Sequence, residues 1–534
     1  MFVDAQHGFE GGRQEVDICI IGGGVAGITA ALEFDGKPLS VALLESGEFK
    51  YAQATQSLYE GATVGQTYER LDRARSRYWG GSSNCWGGWC RPMDAIDFEK
   101  RDWVDNSGWP FTKDTLAPYY DRAIQLLGLN PDYEANHWKR DVNRSNINLL
   151  PVDEAKLSNQ IIQFTPHQRY GHTFRETLKQ SKNVRIFLHS NAVSIRLDES
   201  GQSVAEVVVK TIAGRSFAIA ARRFILAAGG IENARLLLSS NDVVPAGVGN
   251  QNDLVGRYFM DHPRITSGTI KLKEPWQSNR FYDVKFSYRN PLISVNGVSS
   301  SATIIPSRRS QETEHLLNAR LYTESIFYGE DAAGGEAVKN LYQSLVVRRH
   351  GTRPSEVLAV LGSPINATRF TFCYLLRSQK FVHRQRTVTV VEPEPNPNSR
   401  VTLIPERDRI GMHRVQVDWR VGSKERRTIG RINELVDSEL RRLDLGELQV
   451  DADLAEETEA WPDRLSWCWH HMGTTRMHDN PRLGVVDRNC QVHGINNLYI
   501  AGSSVFPTCG NDSPTITIIA LALRLADRIY GDAR

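Results

Sequence analysis

The sequence has no hydrophobic run long enough to cross a lipid bilayer. Its longest apolar stretch near the C-terminus, ITIIALALRLA, is short and contains an arginine, whereas a membrane-spanning helix needs about 20 apolar residues. The first residues also lack the basic segment and apolar run of a signal peptide. We therefore expect a cytoplasmic protein that does not bind membranes.

The cysteines are few and show no pattern. Seven are scattered through 534 residues, and no two have the CxxC spacing of a zinc site. This distribution argues against a disulfide framework and is typical of a reducing compartment. The formal net charge is +2 and the arginines do not cluster, so no basic surface for nucleic acid is expected.

The N-terminal region has the pattern of a dinucleotide-binding βαβ unit. The β-branched run VDICII predicts a buried parallel strand, and GGGVAG follows it as GxGxxG before residues with helical spacing. Gly22, Gly24 and Gly27 would allow a tight turn, a close pyrophosphate and close packing of helix on strand. A second predicted strand, VALLESG, contains Glu45, whose carboxylate can accept hydrogen bonds from a ribose.

Three later segments place further glycines next to predicted strands. They are WGGSSNCWGG from position 79, ILAAGGIE from position 225 and LYIAGSS from position 498. Paired glycines among small side chains let a backbone lie against a flat ligand. A nucleotide domain assembled from both ends of a chain is typical of FAD proteins, so we expect FAD as the cofactor.

Four more motifs complete a specific order along the chain: VGRYFMDHP, PNPNSRVTL, HHMGTTRM and the final AGSSVFPTCGNDSPTITIIALALRLAD. Together with the glycine-rich segments, they resemble the glucose–methanol–choline (GMC) family of flavin oxidoreductases, and most of all its sugar and aminoglycoside branch. The resemblance implies an α/β (α+β) fold, with a Rossmann-like FAD-binding domain and a second, mainly antiparallel-sheet substrate domain. The FAD-binding domain would comprise residues 1–100, 180–265 and 460–534, and the substrate domain residues 101–179 and 266–459.

The middle of the chain is predicted to be rich in strands. RTVTVVE, RVTLIPE and RVQVDWRV alternate in the manner of strands, and the proline-punctuated EPEPNPNSR separates the first two. EDAAGGEAVKN, residues 330–340, is polar and contains glycine, and is predicted to be a loop. These strands would suit the antiparallel sheet that GMC-like proteins place over the flavin.

The resemblance also implies individual cofactor contacts. Beyond the first glycines and Glu45, the cofactor-binding residues that it implies are Gly80, Gly81, Ser82, Asn84, Cys85, Val193, Gly502, Ser503, Pro514 and Thr515. Val193 would meet the adenine through its backbone. Some relatives carry a histidine at the position of Cys85, and in certain sugar oxidases a histidine of that segment is attached to FAD. Without that histidine, we expect non-covalently bound FAD.

Two adjacent histidines in WHHMG are candidates for acid–base chemistry. Alcohol oxidation requires a base for the hydroxyl proton as hydride passes to the flavin N5, and histidine titrates in a suitable range. The resemblance puts the catalytic histidine of the family on His470. Adjacent side chains of an extended segment point in opposite directions, so His471 is expected to face another layer. His262, in MDHP, is interpreted as a structural residue.

One catalytic position departs from the family pattern. GMC-like enzymes usually have His or Asn immediately before the residue aligned with Pro514, and this chain has Ser513. The Ser-Pro pair has the pattern of an N-cap and first residue of a final helix, whose N-terminus would stabilise negative charge on reduced flavin. The sequence leaves open whether Ser513 also contacts the substrate as a catalytic residue. Asn511 or Asp512 could supply the missing amide or acid.

The sequence therefore predicts an FAD-dependent alcohol oxidoreductase that acts on a sugar-like molecule, with an aminoglycoside as one candidate. Glu324, Glu330 and Asp331 make an acidic pocket for such a cation conceivable. The electron acceptor would be oxygen or an unidentified acceptor, and no CxxCH haem motif is present. Two alternatives stay open: a non-redox enzyme, similar to hydroxynitrile lyases, that keeps FAD as a scaffold, and a flavin-binding protein without catalysis.

Overall fold

The computed structural model describes residues 1–7, 12–134, 148–274, 279–288, 293–295, 297–342, 354–376, 378–455 and 460–532. Its strands, in chain order, are β1 (Phe2–Asp4), β2 (Gly12–Ile21), β3 (Val41–Leu44), β4 (Ala62–Gly65), β5 (Trp89–Cys90), β6 (Leu157–Phe164), β7 (Val184–Leu188), β8 (Asn191–Leu197), β9 (Val204–Lys210), β10 (Ser216–Leu226), β11 (Pro263–Leu272), β12 (Ser294–Val295), β13 (Val298–Pro306), β14 (Ala319–Phe327), β15 (Val382–Val391), β16 (Arg400–Arg407), β17 (His413–Trp419), β18 (Gly446–Val450), β19 (Ser466–Trp467) and β20 (Leu498–Ile500).

Its α-helices, in chain order, are α1 (Val25–Phe34), α2 (Gln53–Gln56), α3 (Ala117–Leu126), α4 (Tyr170–Thr173), α5 (Arg175–Gln180), α6 (Gly230–Ser239), α7 (Val284–Ser287), α8 (Arg308–Glu314), α9 (Ala333–Tyr342), α10 (Pro354–Gly362), α11 (Pro364–Leu376), α12 (Ser423–Arg442), α13 (Ala452–Ala455) and α14 (Thr515–Gly531). None of these helices is long and apolar enough to cross a membrane. No group of three or more metal-ligating side chains occurs among the described residues.

The first sheet gathers strands from both ends of the chain. Its order is β1–β7–β3–β2–β10–β9–β8, and β20 also pairs with β10. Six strands run parallel, and the hairpin of β8 and β9 extends the sheet in antiparallel fashion. Helix α1 packs against both β2 and β3, and against α14. All four residues of β3 are buried, as a continuous apolar run in a parallel strand predicts. The Rossmann-like part of the fold is confirmed.

The second sheet is antiparallel and forms the other layer of the cavity described below. Its order is β18–β11–β15–β14–β13–β6–β5, with β19 on β11 and β12 on β13. Helix α12 packs across β11, β14 and β15, and it buries Ile429, Ile432, Val436 and Leu440 at helical spacing. Strand β14 is buried at every position, so it is a central strand covered on both faces. The predicted antiparallel sheet is confirmed. Of the three segments that the sequence analysis assigns to it, only RTVTVVE (β15) lies in it, whereas RVTLIPE (β16) and RVQVDWRV (β17) form a separate sheet with β4.

Strand pairing crosses the predicted domain limits at several places, and β11 itself spans the limit at residue 265. Strand β4, from the N-terminal segment, pairs in parallel with β17, which also pairs with β16. Strand β5 adds to the edge of the second sheet by pairing with β6. The two layers are therefore joined by short strands before residue 100, and the division into two domains stays a prediction.

The loop predicted at residues 330–340 is wrong, because helix α9 occupies most of that segment. Its two glycines are needed for packing rather than for a turn. A Cβ at Gly334 would lie 2.4 Å from the Ser363 carbonyl oxygen, and one at Gly335 would lie 2.0 Å from the Gly329 carbonyl oxygen. Glycine lowers helix propensity by about 1 kcal/mol. The helix forms nevertheless, because its close approach to α11 and to the preceding turn requires residues without a side chain.

Gly27 is the point where α1 comes closest to the end of β2. A Cβ there would lie 1.9 Å from the Gly22 carbonyl oxygen and 3.3 Å from Ile20 Cγ2. We predict that Gly27→Ala lowers the free energy of unfolding by about 1–3 kcal/mol, the usual cost of overpacking a core. Gly430→Ala is the matched control, because its Cβ would meet no atom within 4 Å. Denaturant unfolding measures both variants, and equal stability would contradict the prediction.

Candidate active site

A cavity of about 750 Å³ lies where the parallel strands of the first sheet end. The ends of β2, β3, β10 and β20 form one wall, and β11, β14 and β15 contribute to the other. The predicted site residues that line it are Gly22, Gly24, Glu45, Gly81, Ser82, Cys85, His470, Gly502, Ser503, Ser513, Pro514 and Thr515. The fold therefore brings together motifs from the two ends of the chain.

Gly27, Gly80 and Asn84 lie outside the lining and support it. Gly27 permits the packing of α1 described above. Gly80 has a φ of 95°, a backbone conformation that favours glycine. Asn84 Nδ2 donates hydrogen bonds to the carbonyl oxygens of Trp79 and Gly81, both at 2.9 Å. Gly80 and Asn84 therefore shape the WGGSSN turn rather than face the cavity.

Val193 also lies outside this lining. It lines a second cavity of about 630 Å³, between β8 and the loop that joins β16 to β17. Its chain neighbours Ser190 and Ala192 line the first cavity. A backbone contact between Val193 and an adenine stays a prediction.

The first cavity fits FAD in two respects. A Cβ at Gly24 or at Gly502 would meet no atom within 4 Å, so these glycines leave open the space that a side chain would fill. No side chain caps the N-terminus of α1 or of α14, so the first N–H groups of both helices remain available to negatively charged groups of a cofactor. The chain would hold FAD between these two helix ends.

Glu45 is fixed against the glycine turn. Its Oε2 accepts a hydrogen bond from the Gly23 N–H at 3.0 Å, and its Oε1 accepts one from the Gly47 N–H at 2.7 Å. Burial raises the pKa of this carboxyl, although these hydrogen bonds and Arg77 oppose the rise. The side chain lies at the end of β3, where the motif predicts a ribose contact.

The sequence analysis missed a buried ion cluster in the same wall. Glu232 receives hydrogen bonds from Arg75 at 3.1 Å and from Arg77 at 3.0 Å. Burial alone would raise the pKa of Glu232, but Arg235, Arg77 and Arg75 lower it to about 2. The signal was present as RARSR immediately before the WGG motif and GGIENAR after β10, yet only the fold shows that the two segments meet.

His470 forms a hydrogen-bonded pair with His262. The two Nδ1 atoms are 2.9 Å apart, and His262 Nε2 lies 2.8 Å from the carbonyl oxygen of Gly510. Their rings are perpendicular, with centroids 5.1 Å apart. Burial, and then Arg320, lowers the pKa of His262 to about 4, so this fully buried ring is neutral at neutral pH.

This chain of contacts determines which nitrogen of His470 carries a proton. A carbonyl oxygen only accepts hydrogen bonds, so neutral His262 must carry its single proton on Nε2 and accept at Nδ1. His470 must then donate from Nδ1. Its Nε2 is left with a lone pair, in a residue that lines the cavity. His470 Nε2 is therefore able to accept a proton, and His262 has a part in the site beyond the structural role that its sequence context predicts.

The expectation that WHHMG is uniformly extended is wrong. Trp469 has a φ of 60°, a left-handed conformation that is unfavourable for a bulky residue. Asp261 stabilises this turn, because its Oδ1 accepts the N–H groups of His470 at 2.9 Å and Cys468 at 3.2 Å. Burial raises the pKa of Asp261 to about 6, against these hydrogen bonds and that of Tyr68. The MDHP motif thus holds both the backbone and the ring of His470.

His471 has a different environment from His470, although both line the cavity. Its ring lies 5.9 Å from the Phe259 ring and 6.3 Å from the Tyr68 ring. Its Nε2 is buried and has no hydrogen-bond partner among the described residues. Burial, and then Arg75, lowers the pKa of His471 to about 3. This histidine is therefore a neutral ring within an aromatic cluster.

The side-chain cap predicted for Ser513 is wrong. Helix α14 begins at Thr515, Pro514 takes the N-cap position, and no side-chain hydrogen bond caps the helix. Ser513 lines the cavity. Asn511 and Asp512 do not line it, and Asn511 Nδ2 donates to the Asn318 side chain and the Ala319 carbonyl oxygen, both at 2.9 Å. Neither therefore supplies the amide or acid that this chain lacks at the position of Ser513.

Two family models match the chain. One, described as GMC oxidoreductase, matches residues 395–522, and the other, described as FAD dependent oxidoreductase, matches residues 17–247. The chain is 24% identical to paromamine 6'-oxidase of Streptomyces fradiae, over 97% of this chain and 91% of that protein. The chain therefore combines an FAD dependent oxidoreductase region with a GMC oxidoreductase region.

Two further similarities connect the chain with known proteins. It is 25% identical to the fructose dehydrogenase large subunit of Gluconobacter japonicus over 60% of its own length, and the match spans only 49% of that relative. The crystal structure of formate oxidase aligns over 98% of this chain and 99% of that one, with a TM-score of 0.56 and 17% identity. The second similarity concerns the fold alone, and FAD as the cofactor follows from the FAD dependent oxidoreductase model.

We predict that this protein releases its flavin on acid precipitation. Cys85 Sγ donates a hydrogen bond to the Ser82 carbonyl oxygen at 3.3 Å and accepts one from Ser76 Oγ at 3.4 Å, so the thiol is part of the turn. Yellow supernatant from both the wild type and Cys85→Ser is the expected result. Flavin that stays in the wild-type pellet but leaves that of Cys85→Ser would reveal a cysteinyl bond.

Proposed function

We propose that this protein oxidises a hydroxyl group of a sugar-like small molecule to a carbonyl, with His470 as the base. The observation that carries the proposal is the lone pair on His470 Nε2 in a cavity that fits FAD. When bound, FAD supplies the two-electron acceptor. Relatives named for oxidising paromamine and fructose support a sugar-like substrate. Oxidoreductase models and relatives do not favour the two alternatives left open by the sequence.

In this proposal His470 Nε2 takes the hydroxyl proton of the substrate. The ring does not need to turn as it becomes charged, because Nδ1–H stays donated to His262 throughout. Burial lowers the pKa of His470 well below its ordinary value, and the positive charge of Arg320 lowers it further. The free base is therefore the resting form at neutral pH, as proton abstraction requires.

Ser513 is proposed to hold the reacting oxygen of the substrate. Ser513 lines the cavity beside the N-terminus of α14, and its side chain makes no capping bond. A hydroxyl can donate to or accept from a substrate oxygen but is a poor base. In this proposal, His470 alone abstracts the proton.

We further propose that oxygen or a separate acceptor reoxidises the protein and that it works in the cytoplasm. No disulfide joins the seven cysteines, which is consistent with a reducing compartment. The sequence carries no CxxCH motif, so a cytochrome acceptor would be a different chain.

We predict that His470→Ala slows flavin reduction by substrate about 10²–10⁴-fold, the usual contribution of a positioned general base. His471→Ala, the neighbouring control, should slow it much less, because its Nε2 is buried among aromatic rings. In the wild type, the rate should fall only below pH about 6.5, the ordinary histidine value, because the pKa of His470 is lowered.

The rate of flavin reduction is measured for all three proteins by anaerobic stopped-flow, with one shared substrate and at a series of pH values. An unchanged rate in His470→Ala beside a slow His471→Ala would overturn the assignment of the base. Flavin content and visible spectrum serve as controls for folding.

We predict that His262 acts by positioning His470. His262→Phe keeps an aromatic ring but removes the acceptor for His470 Nδ1–H, so flavin reduction should slow by an amount approaching the roughly 10²–10⁴-fold contribution of the base. His262→Gln offers an amide oxygen in place of Nδ1 and should restore part of the rate.

The pH profile separates this role from a purely structural one. Loss of the acceptor destabilises the protonated form of His470, so the acid limb of the rate should move to lower pH in His262→Phe. If His262→Phe and His262→Gln are equally slow with the wild-type pH profile, the positioning role is refuted.

A further inference from the structure

Arg320 is a buried cation in the cavity wall without a hydrogen-bonded counter-ion. It is 4% exposed and lines the cavity. Its Nε has no hydrogen-bond partner among the described residues. The nearest carboxylate is that of Asp512, whose Oδ1 lies 3.7 Å from Arg320 Nη1, beyond hydrogen-bond range. Buried guanidinium groups are normally paired and hydrogen-bonded. The N–H donors of Arg320 would be satisfied by a bound ligand that accepts hydrogen bonds.

The position of Arg320 in β14 directs it into the cavity. Alternate residues of a strand share a face, and Arg320, Tyr322 and Glu324 all line the cavity. The Arg320 guanidinium lies 5.4 Å from the centre of the Trp89 ring. It is near enough to the His262–His470 pair to lower the pKa of both rings. The cation is therefore a rigid feature beside the proposed base.

The other charged residues in this wall are already paired. Glu324 accepts hydrogen bonds from Arg264 at 3.0 Å and from Arg386 at 2.8 Å. Lys285 Nζ lies 2.5 Å from Glu330 Oε1. Among the described residues of this wall, Arg320 alone combines burial, a place in the lining and an unsatisfied guanidinium nitrogen.

Asp512 neutralises Arg320 only weakly. The same carboxylate also faces Arg91, whose Nε lies 3.5 Å from Oδ2, and its Oδ1 is itself without a hydrogen bond. Burial raises the pKa of Asp512 to about 7, although Arg91 and Arg320 oppose the rise. Two guanidinium groups therefore share one carboxylate at distances of 3.5 and 3.7 Å, and Arg320 keeps an excess of positive charge.

The acidic side chains suggested by the sequence for a cationic substrate are not available. Glu324 and Glu330 are engaged as described, and Asp331 pairs with Arg384. The lining next to His470 therefore presents one uncommitted charge, and that charge is positive.

We propose that the substrate of this protein is an anionic alcohol, a hydroxy acid such as a sugar acid, whose carboxylate is bound by Arg320. This inference rests on the proposed alcohol oxidation and specifies its substrate class. A guanidinium can bind a carboxylate through two parallel hydrogen bonds. Because Arg320 lies beside His470, the carboxylate and the reacting hydroxyl would be separated by only a few bonds. The bound anion would also compensate the charge that Arg320 leaves in the cavity wall.

Equilibrium binding of acetate tests the anion site without turnover. Acetate, acetamide and ethylamine are titrated separately into oxidised, FAD-loaded protein, and the visible spectrum of the flavin reports occupancy. We expect saturable binding of acetate, with acetamide and ethylamine about 10- to 100-fold weaker, the range of a hydrogen bond to a charged group. Equal or tighter binding of ethylamine would overturn the proposal.

Variants assign the site to Arg320. Arg320→Gln should weaken acetate binding by a similar factor, and Arg320→Lys should keep part of the affinity as a point charge. Arg91→Gln is the matched control, because Arg91 faces the same Asp512 carboxylate but does not line the cavity. It should bind acetate as the wild type does. If Arg91→Gln and Arg320→Gln lose affinity equally, Arg320 only balances Asp512 and the proposal fails.

Turnover of a matched trio completes the test. Glucuronate, glucose and glucosamine offer related rings with a negative, neutral or positive substituent. We expect kcat/KM to follow that order, and Arg320→Gln to reduce it about 10- to 100-fold for glucuronate but much less for glucose. An equal loss for both would mean that Arg320 binds the reacting oxygen instead. Acetate binding without reduction of flavin by any alcohol would refute the proposed function but not the anion site.

Discussion

The site depends on one hydrogen bond, that between the Nδ1 atoms of His262 and His470. It connects the start of β11 to the C-terminal motif, and it determines the protonated nitrogen of the proposed base. The bond has this direction only because the Gly510 carbonyl oxygen accepts from the far side of His262. A buried and fully satisfied network of this kind favours a single arrangement of its members.

Gly510 is itself held by a deeper ion pair. Its N–H donates to Glu392 Oε1 at 3.3 Å, and Glu392 receives two hydrogen bonds from Arg101, at 2.8 Å and 2.6 Å. Gly510 has a φ of 59°, and a Cβ there would lie 2.5 Å from the Asp97 carboxyl group. A side chain at this position would therefore displace the carbonyl oxygen that orients His262. Residues far from the cavity thus influence the chemistry by fixing the position of one backbone oxygen.

Charge is distributed differently at the two ends of the cavity. Next to the glycine turn, Glu232 is compensated by several arginines and Glu45 is hydrogen-bonded by backbone N–H groups. Next to His470, Arg320 lacks such compensation. The same uncompensated charge has two effects, since it lowers the pKa of His470 and attracts anions. The protonation state of the base and the choice of substrate are therefore coupled through Arg320.

Strand periodicity and glycine spacing are local properties, so the sequence alone predicted the glycine-rich dinucleotide cradle. The antiparallel second sheet and most of the lining residues were implied by the resemblance to the GMC family. The sequence did not reveal that 330–340 contains a helix or that Ser513 does not cap one, since packing against distant residues overrides local preference there. The hydrogen bond between His262 and His470, and the lack of a hydrogen-bonded counter-ion for Arg320, are visible only in the folded structure. Each is a relation between strands or loops that are remote in the chain, and hydrogen-bond direction and residual charge exist only once those segments are in contact.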